Sequence, residues 1–147
     1  MMNAASDLVV ARHLSQLLLA AANRSRDEFA EIAEEIGVPV QLARALCVLE
    51  DSAPMTELAA KLDCDKSYIT PLADQLEAMG LINRVPGNDR RTKLLTLTTR
   101  GKSVRDAMEE QIAKRSPVVA SLDESDRVEL ERILTKLVPH ESRASSQ

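Results

Sequence analysis

The residues best suited to chemistry run from Asn88 to Thr98, reading Asn-Asp-Arg-Arg-Thr-Lys-Leu-Leu-Thr-Leu-Thr. Asn88, Asp89, Arg90, Arg91 and Lys93 form a tight charged turn, and the residues after it alternate like a strand. Cations gathered at a hairpin tip have no core role to play. Their chemistry is to neutralise phosphate, or to place a guanidinium in the strong negative potential of a narrow minor groove. Between Arg84 and Arg105 stand seven basic side chains against one acid, Asp89. The net charge of −4 hides this segregation: residues 1–55 carry −4, residues 56–105 carry +3 and residues 106–147 carry −3. Affinity for a polyanion follows the local field, so the acidic total does not exclude one.

Other chemistries find no footing. No nucleophile–base constellation or glycine-rich phosphate loop occurs, and His13 and His140 lack partners at metal-ligand spacing. The sequence therefore predicts a non-enzyme without cofactor or metal. Cys47, between Leu46 and Val48, reads as core. Cys64 lies near a helix start, where a thiol pKa can fall, so a redox switch is one reading; a small apolar filler of the turn is the better one.

The elements that must position the turn are mostly helices. Phe29 and Tyr68 are the only aromatics, which leaves a core of Leu, Ile, Val, Ala and Met. Periodicity predicts a long helix over 7–36 ended by Gly37, then a second from Pro39 to about Asp51. Thr56 is expected to cap a short third helix. Asp63-Cys64 forms a turn, and Asp65 caps a fourth helix over Lys66–Met79, closed by Gly80. Two short helices across a tight turn make a helix–turn–helix. Leu81–Val85 and Lys93–Leu97 then form a two-stranded wing. A fifth helix starts at Thr98 or Thr99 and runs to Ser116, where Pro117 breaks or kinks it. A last helix is capped by Asp123, and 141–147 is a polar tail. The expected fold is mainly α with a small β wing. Residues 1–38 form an N-terminal dimerisation helix, 39–101 the winged helix–turn–helix, and 102–140 the C-terminal dimerisation helices.

Thr56-Glu-Leu-Ala-Ala-Lys-Leu, the run Asp65 to Ile82, and Asn88-Asp-Arg-Arg-Thr-Lys-Leu-Leu-Thr-Leu-Thr-Thr-Arg-Gly together resemble the MarR family of transcription regulators. The resemblance is close over Thr56–Gly101, and the helices on either side fit the family's layout. It implies a homodimeric winged helix–turn–helix, usually a repressor released by a small molecule or by oxidation. It also implies that Arg91 enters the minor groove, that Asp89 pairs with that arginine, and that Lys66–Met79 is the recognition helix. Two positions depart from the pattern: Asp63 stands where glycine is common, and Pro71 where a basic residue often lies. Thr70-Pro-Leu is similar to the hydroperoxide-sensing branch, but residues 7–36 lack the cysteine through which that branch senses.

With Ile69, Leu72, Ala73 and Leu76 inward, the outward strip of the fourth helix is Ser67, Pro71, Asp74 and Ala78, flanked by Thr70 and Gln75. Ser, Thr and Gln can read base edges, and Asp can accept from cytosine. Lys66, Ser67, Tyr68, Thr70, Pro71, Asp74 and Gln75 are the candidate DNA contacts of that helix; Lys66 is its one cation. The outer helices carry surplus apolar positions. Leu8, Leu14 and Leu17, with Val128, Ile133, Leu134 and Leu137, are expected to form a dimer interface, the alternative being an intramolecular bundle. The partners expected are double-stranded DNA with a pseudo-palindromic site, a second copy of the chain, and a small-molecule effector. No apolar run of about 18 residues is present, so no membrane span is expected and the cytoplasm is the expected location. Two competing functions stay open: a winged-helix interaction module that binds no DNA, and a thiol-based redox-responsive regulator.

Overall fold

The computed structural model describes residues 3–89 and 91–138; Arg90, His140 and the tail 141–147 lie outside the described residues. The elements are α1 (Ala4–Ile36), α2 (Val40–Val48), β1 (Ser52–Pro54), α3 (Met55–Lys61), α4 (Lys66–Ala78), β2 (Ile82–Pro86), β3 (Lys93–Leu97), α5 (Thr99–Arg115), α6 (Pro117–Ser121) and α7 (Glu124–Leu137). The mainly helical winged architecture is as the sequence predicts.

Its punctuation is chemical. Gly37 ends α1 at φ +88°, donating its N–H to the Ala33 carbonyl at 2.9 Å. Gly80 ends α4 at φ +70°, and the Leu81 N–H behind it reaches the Leu76 carbonyl at 2.9 Å. Both are left-handed positions that glycine takes without a Cβ penalty. Asp63 takes the same conformation, φ 51°, in the turn between α3 and α4. Thr98 caps α5, accepting from the Gly101 N–H at 3.0 Å, and Asp123 caps α7, accepting from Asp126 at 2.8 Å.

Several expectations need correcting. Thr56 does not cap α3: the cap falls two residues earlier, at Pro54, whose fixed φ of −63° leads the chain straight from strand into a helix that begins at Met55. Asp65 occupies the N-cap of α4, but its side chain makes no capping bond. The second helix stops at Val48, because Ser52–Pro54 leave it to pair antiparallel with β3. The wing is therefore a three-stranded sheet in the order β1-β3-β2, and β2 lies one residue later than expected. Pro117 does more than break a helix; it starts the five-residue α6.

One apolar core joins these parts. Ile32 and Ala33 of α1, Leu42 and Leu46 of α2, Leu58 of α3, Ile69, Leu72 and Leu76 of α4, Leu95 of β3 and Met108 of α5 are all buried. The C-terminal half of α1 belongs to this core; its N-terminal half does not. Leu8, Leu14 and Leu17, and at the other end Val128, Ile133 and Leu137, remain exposed, with Leu134 half-buried. Within one chain the outer helices do not cover each other, which sets aside the intramolecular bundle.

Candidate nucleic-acid interface

α4 lies with Ile69, Leu72, Ala73 and Leu76 turned into the core. The 3.6-residue period then forces Lys66, Ser67, Tyr68, Thr70, Pro71, Asp74 and Gln75 to the surface, and all seven are exposed. Pro71 lies inside the helix and has no N–H. The Ser67 carbonyl, on the outward strip, thus lacks its usual i+4 helical donor.

The hairpin between β2 and β3 is closed by three contacts. The Gly87 N–H donates to the Thr92 carbonyl at 2.7 Å, and the Thr92 N–H to the Asp89 carbonyl at 3.0 Å. The Asp89 carboxylate accepts from the Arg91 backbone N–H at 3.3 Å. This corrects one expectation: among the described contacts Asp89 braces the turn through the backbone of Arg91, with no ion pair to its guanidinium. Asn88, Arg91 and Lys93 are exposed on this hairpin.

The wing folds back toward α4. Lys66 from the start of α4, Arg91 and Lys93 from the wing, and Thr56 and Thr92 share one cleft of about 280 Å³. Its lining includes three cations and no acid. A cleft of that composition suits a phosphate oxygen, which takes charge-assisted bonds from Lys and Arg and neutral ones from hydroxyls. The sequence named Lys66 and Arg91 separately; the fold brings them together because β3 pairs with β1, which leads directly into α3.

Asp74 departs from the sequence reading. Its carboxylate is held by the Arg84 guanidinium from β2, so it does not stand free to accept from a base. Arg84 was legible only as one more basic residue. Its cross-strand partner is the buried Leu95, which places its stem on the inner face of the sheet and its head against α4. Arg105 was likewise missed: its Nη1 donates to the Leu49 carbonyl at 3.3 Å at the end of α2. Arg115 ties α5 to α1 through Glu28 and Glu35, the latter at 2.6 Å.

The cysteines are free and both half-buried. Burial first, then the nearby Glu109, pushes the Cys47 thiol up to about 11. Among the described residues no group of His, Cys, Asp and Glu could hold a metal ion, and no helix is long and apolar enough to cross a membrane.

Fold and face define a winged helix–turn–helix chain. Residues 40–93 match the model of the MarR family. No curated protein matches it. Among solved structures, a cysteine-to-serine variant of MarR from E. coli complexed with operator DNA superposes with a TM-score of 0.75 at 20% identity, covering 94% of this chain and 100% of that one. The transcriptional repressor CouR bound to a 23-mer DNA duplex gives 0.73 at 24% identity, covering 87% and 94%. CouR from Rhodococcus jostii RHA1 bound to p-coumaroyl-CoA gives 0.70 at 21%, covering 84% and 90%. Two of these three structures hold DNA, and the third holds p-coumaroyl-CoA.

Proposed function

We propose that this chain is a dimeric transcriptional regulator of the MarR type that binds double-stranded DNA at a pseudo-palindromic site, acting as a repressor released by a small-molecule effector. The observation that carries the reading is the cleft where Lys66, Arg91 and Lys93 meet beside the exposed strip of α4. It joins a phosphate-binding patch to a helix able to enter the major groove, on a protein that is otherwise acidic. Solved relatives of this fold hold operator DNA, a 23-mer duplex and p-coumaroyl-CoA, which supports both the DNA and the effector parts. The exposed Leu8, Leu14, Leu17, Val128, Ile133 and Leu137 supply an apolar surface for a second copy. Two copies would present two recognition helices to half-sites roughly one DNA turn apart. A small effector would find an apolar site in the cleft of about 200 Å³ between α1 and the α5–α6 junction, floored by Phe29, Ile32 and Ile112. Arg115 and its α1 carboxylates link the same two helices, so a ligand there would change how the dimer helices hold the winged unit.

The test is selection of a duplex by the intact protein, followed by a salt titration of its affinity and light scattering. A mass twice 16.1 kDa is expected. The three cleft cations of each protomer should give a log–log salt slope of about −5, from roughly 0.9 per neutralised phosphate. Arg91→Ala should weaken binding to every duplex and lower the slope by about one for each arginine that meets a phosphate. A monomer, or affinity indifferent to salt, would instead identify a winged interaction module that binds no DNA.

A further inference from the structure

The outward strip of α4 has no cation of its own, yet the fold lends it one. Arg84 rises from β2, its side chain 24% exposed, and its Nη2 holds a carboxylate oxygen of Asp74. Asp74 is the acid at the middle of the outward strip and is 60% exposed. Arg84 Nε lies 3.9 Å from Glu77, one turn further along on the flank that faces the wing, and has no hydrogen-bond partner. The guanidinium thus sits in the seam between the recognition helix and the wing sheet, with one carboxylate in direct contact and a second nearby.

We propose that Arg84 is a positioning residue for DNA recognition: it masks Asp74, removing a base-reading acid from the outward strip while Asp74 in turn keeps Arg84 off the phosphates. The reasons are electrostatic and geometric. A bare carboxylate on that strip would face a polyanion spaced at one charge per about 1.7 Å of duplex axis. Unless it met a cytosine amino group it would repel the duplex. Bound by Arg84, the two side chains present nearly zero net charge, and the strip is read through Ser67, Thr70 and Gln75. The inference rests on the DNA reading, and it reverses the simplest expectation for Asp74. An acid that reads cytosine would be missed on removal, at one base only. A masked acid, once neutralised, frees a cation within reach of the backbone.

The experiment uses the full chain with Asp74→Asn, Arg84→Met and the double variant, each titrated with salt on one selected duplex and one scrambled duplex. Thermal unfolding is followed alongside. Asp74→Asn should tighten binding to both duplexes by roughly three- to tenfold at low salt and steepen the salt slope by about one per protomer. Arg84→Met should weaken both by a similar factor. The double variant, with the parent's net charge, should return to within about threefold of the parent on both. That rescue is what a merely structural Arg84 would not give. Loss of affinity in Asp74→Asn confined to duplexes with cytosine at one position would overturn the proposal in favour of direct reading by Asp74. A double variant as weak as Arg84→Met, unfolding at the parent's temperature, would overturn it in favour of a direct phosphate contact by Arg84. Should Arg84→Met fail to fold, Asp74→Asn decides alone, since its side chain is exposed: tighter binding supports the masking and unchanged binding overturns it. If the parent binds no duplex, the DNA reading and the inference fall together; if the parent binds and Asp74→Asn does not tighten, only the inference falls.

Discussion

Gly101→Ala should destabilise this protein, although it replaces a helical glycine with the best helix former. Gly101 is the third residue of α5 and is buried. Its N–H donates to Thr98 Oγ1 at 3.0 Å, and the same hydroxyl donates to the Gly80 carbonyl at 2.6 Å. The Thr98 N–H holds the Leu81 carbonyl at 3.1 Å. These bonds draw the start of α5 against the chain that leaves α4. A Cβ at Gly101 would lie 2.0 Å from the Leu81 carbonyl oxygen, 3.0 Å from its carbon and 3.3 Å from Leu97 Cδ2. Ordinary carbon–oxygen contact begins near 3.3 Å, so the backbone must part by about 1.3 Å. The propensity gain of Gly→Ala is about 1 kcal/mol. Against it stand overpacking on backbone, about 1–3 kcal/mol, and a weakened Thr98–Leu81 bond, about 0.5–1.5 kcal/mol. The clash wins by roughly 1–3 kcal/mol, a fall in Tm of about 3–10 °C by circular dichroism at fixed protein concentration. Gly37 supplies the contrast: at φ +88° it has nothing within 4 Å, so its constraint is torsional and not steric. Asn, which tolerates the left-handed region, should be accepted at Gly37 and rejected at Gly101. A Gly101→Ala protein that melts at or above the parent's temperature would refute the reasoning.

Two further expectations concern the thiols and the turn. Because burial raises the Cys47 thiol to about 11, it stays protonated at neutral pH; in a Cys64→Ser background its alkylation should be slow at pH 7.5 and rise about tenfold per pH unit to pH 9.5, and a rate that levels off below pH 9 would contradict the raised value. Asp63→Val should cost about 1–2 kcal/mol in urea unfolding, since a β-branched residue is strained at φ 51°, while Asp63→Gly should match the parent or gain up to about 1 kcal/mol; equal stability of the Val and Gly variants would show that the turn relaxes.

How much of this was legible in the sequence follows from the range of each interaction. As helix caps, Gly37, Gly80, Thr98 and Asp123 act on near neighbours in the chain, and those capping roles could be read from residue type and spacing; the long-range bonds of Thr98 to Gly80 and Leu81 could not. The inward face of α4 could also be read, because a 3.6-residue period needs no partner to be recognised. β1 could not: Ser52–Pro54 is three residues long, contains proline, and becomes a strand only because Leu94, Leu95 and Thr96 lie beside it. The same blindness hid the Asp74–Arg84 pair. Ten positions separate the two, and only the β2–β3 register turns Arg84 toward α4. Lys66 and Arg91 were each legible as cations, but their shared cleft is a product of tertiary structure.

That difference changes what a charge count means for the proposed DNA face. Residues 84–105 hold seven cations, fourteen in a dimer, and if all met phosphates the salt slope would approach about −12. The fold spends several elsewhere. Arg84 is bound to Asp74, Arg105 caps the end of α2 at the Leu49 carbonyl, and Lys102 lies 4.0 Å from Asp51. Outside that stretch, Lys61 similarly serves the Val48 carbonyl and Glu57. The described cations that line the cleft are Lys66, Arg91 and Lys93, six in a dimer. Even with Arg90 added on each side, eight phosphates give a slope of only about −7. A measured slope near −5 to −7 therefore fits a narrow phosphate contact at the cleft and wing. A slope near −12 would mean that the internal pairs open on the duplex, and the masking of Asp74 would then fail along with them.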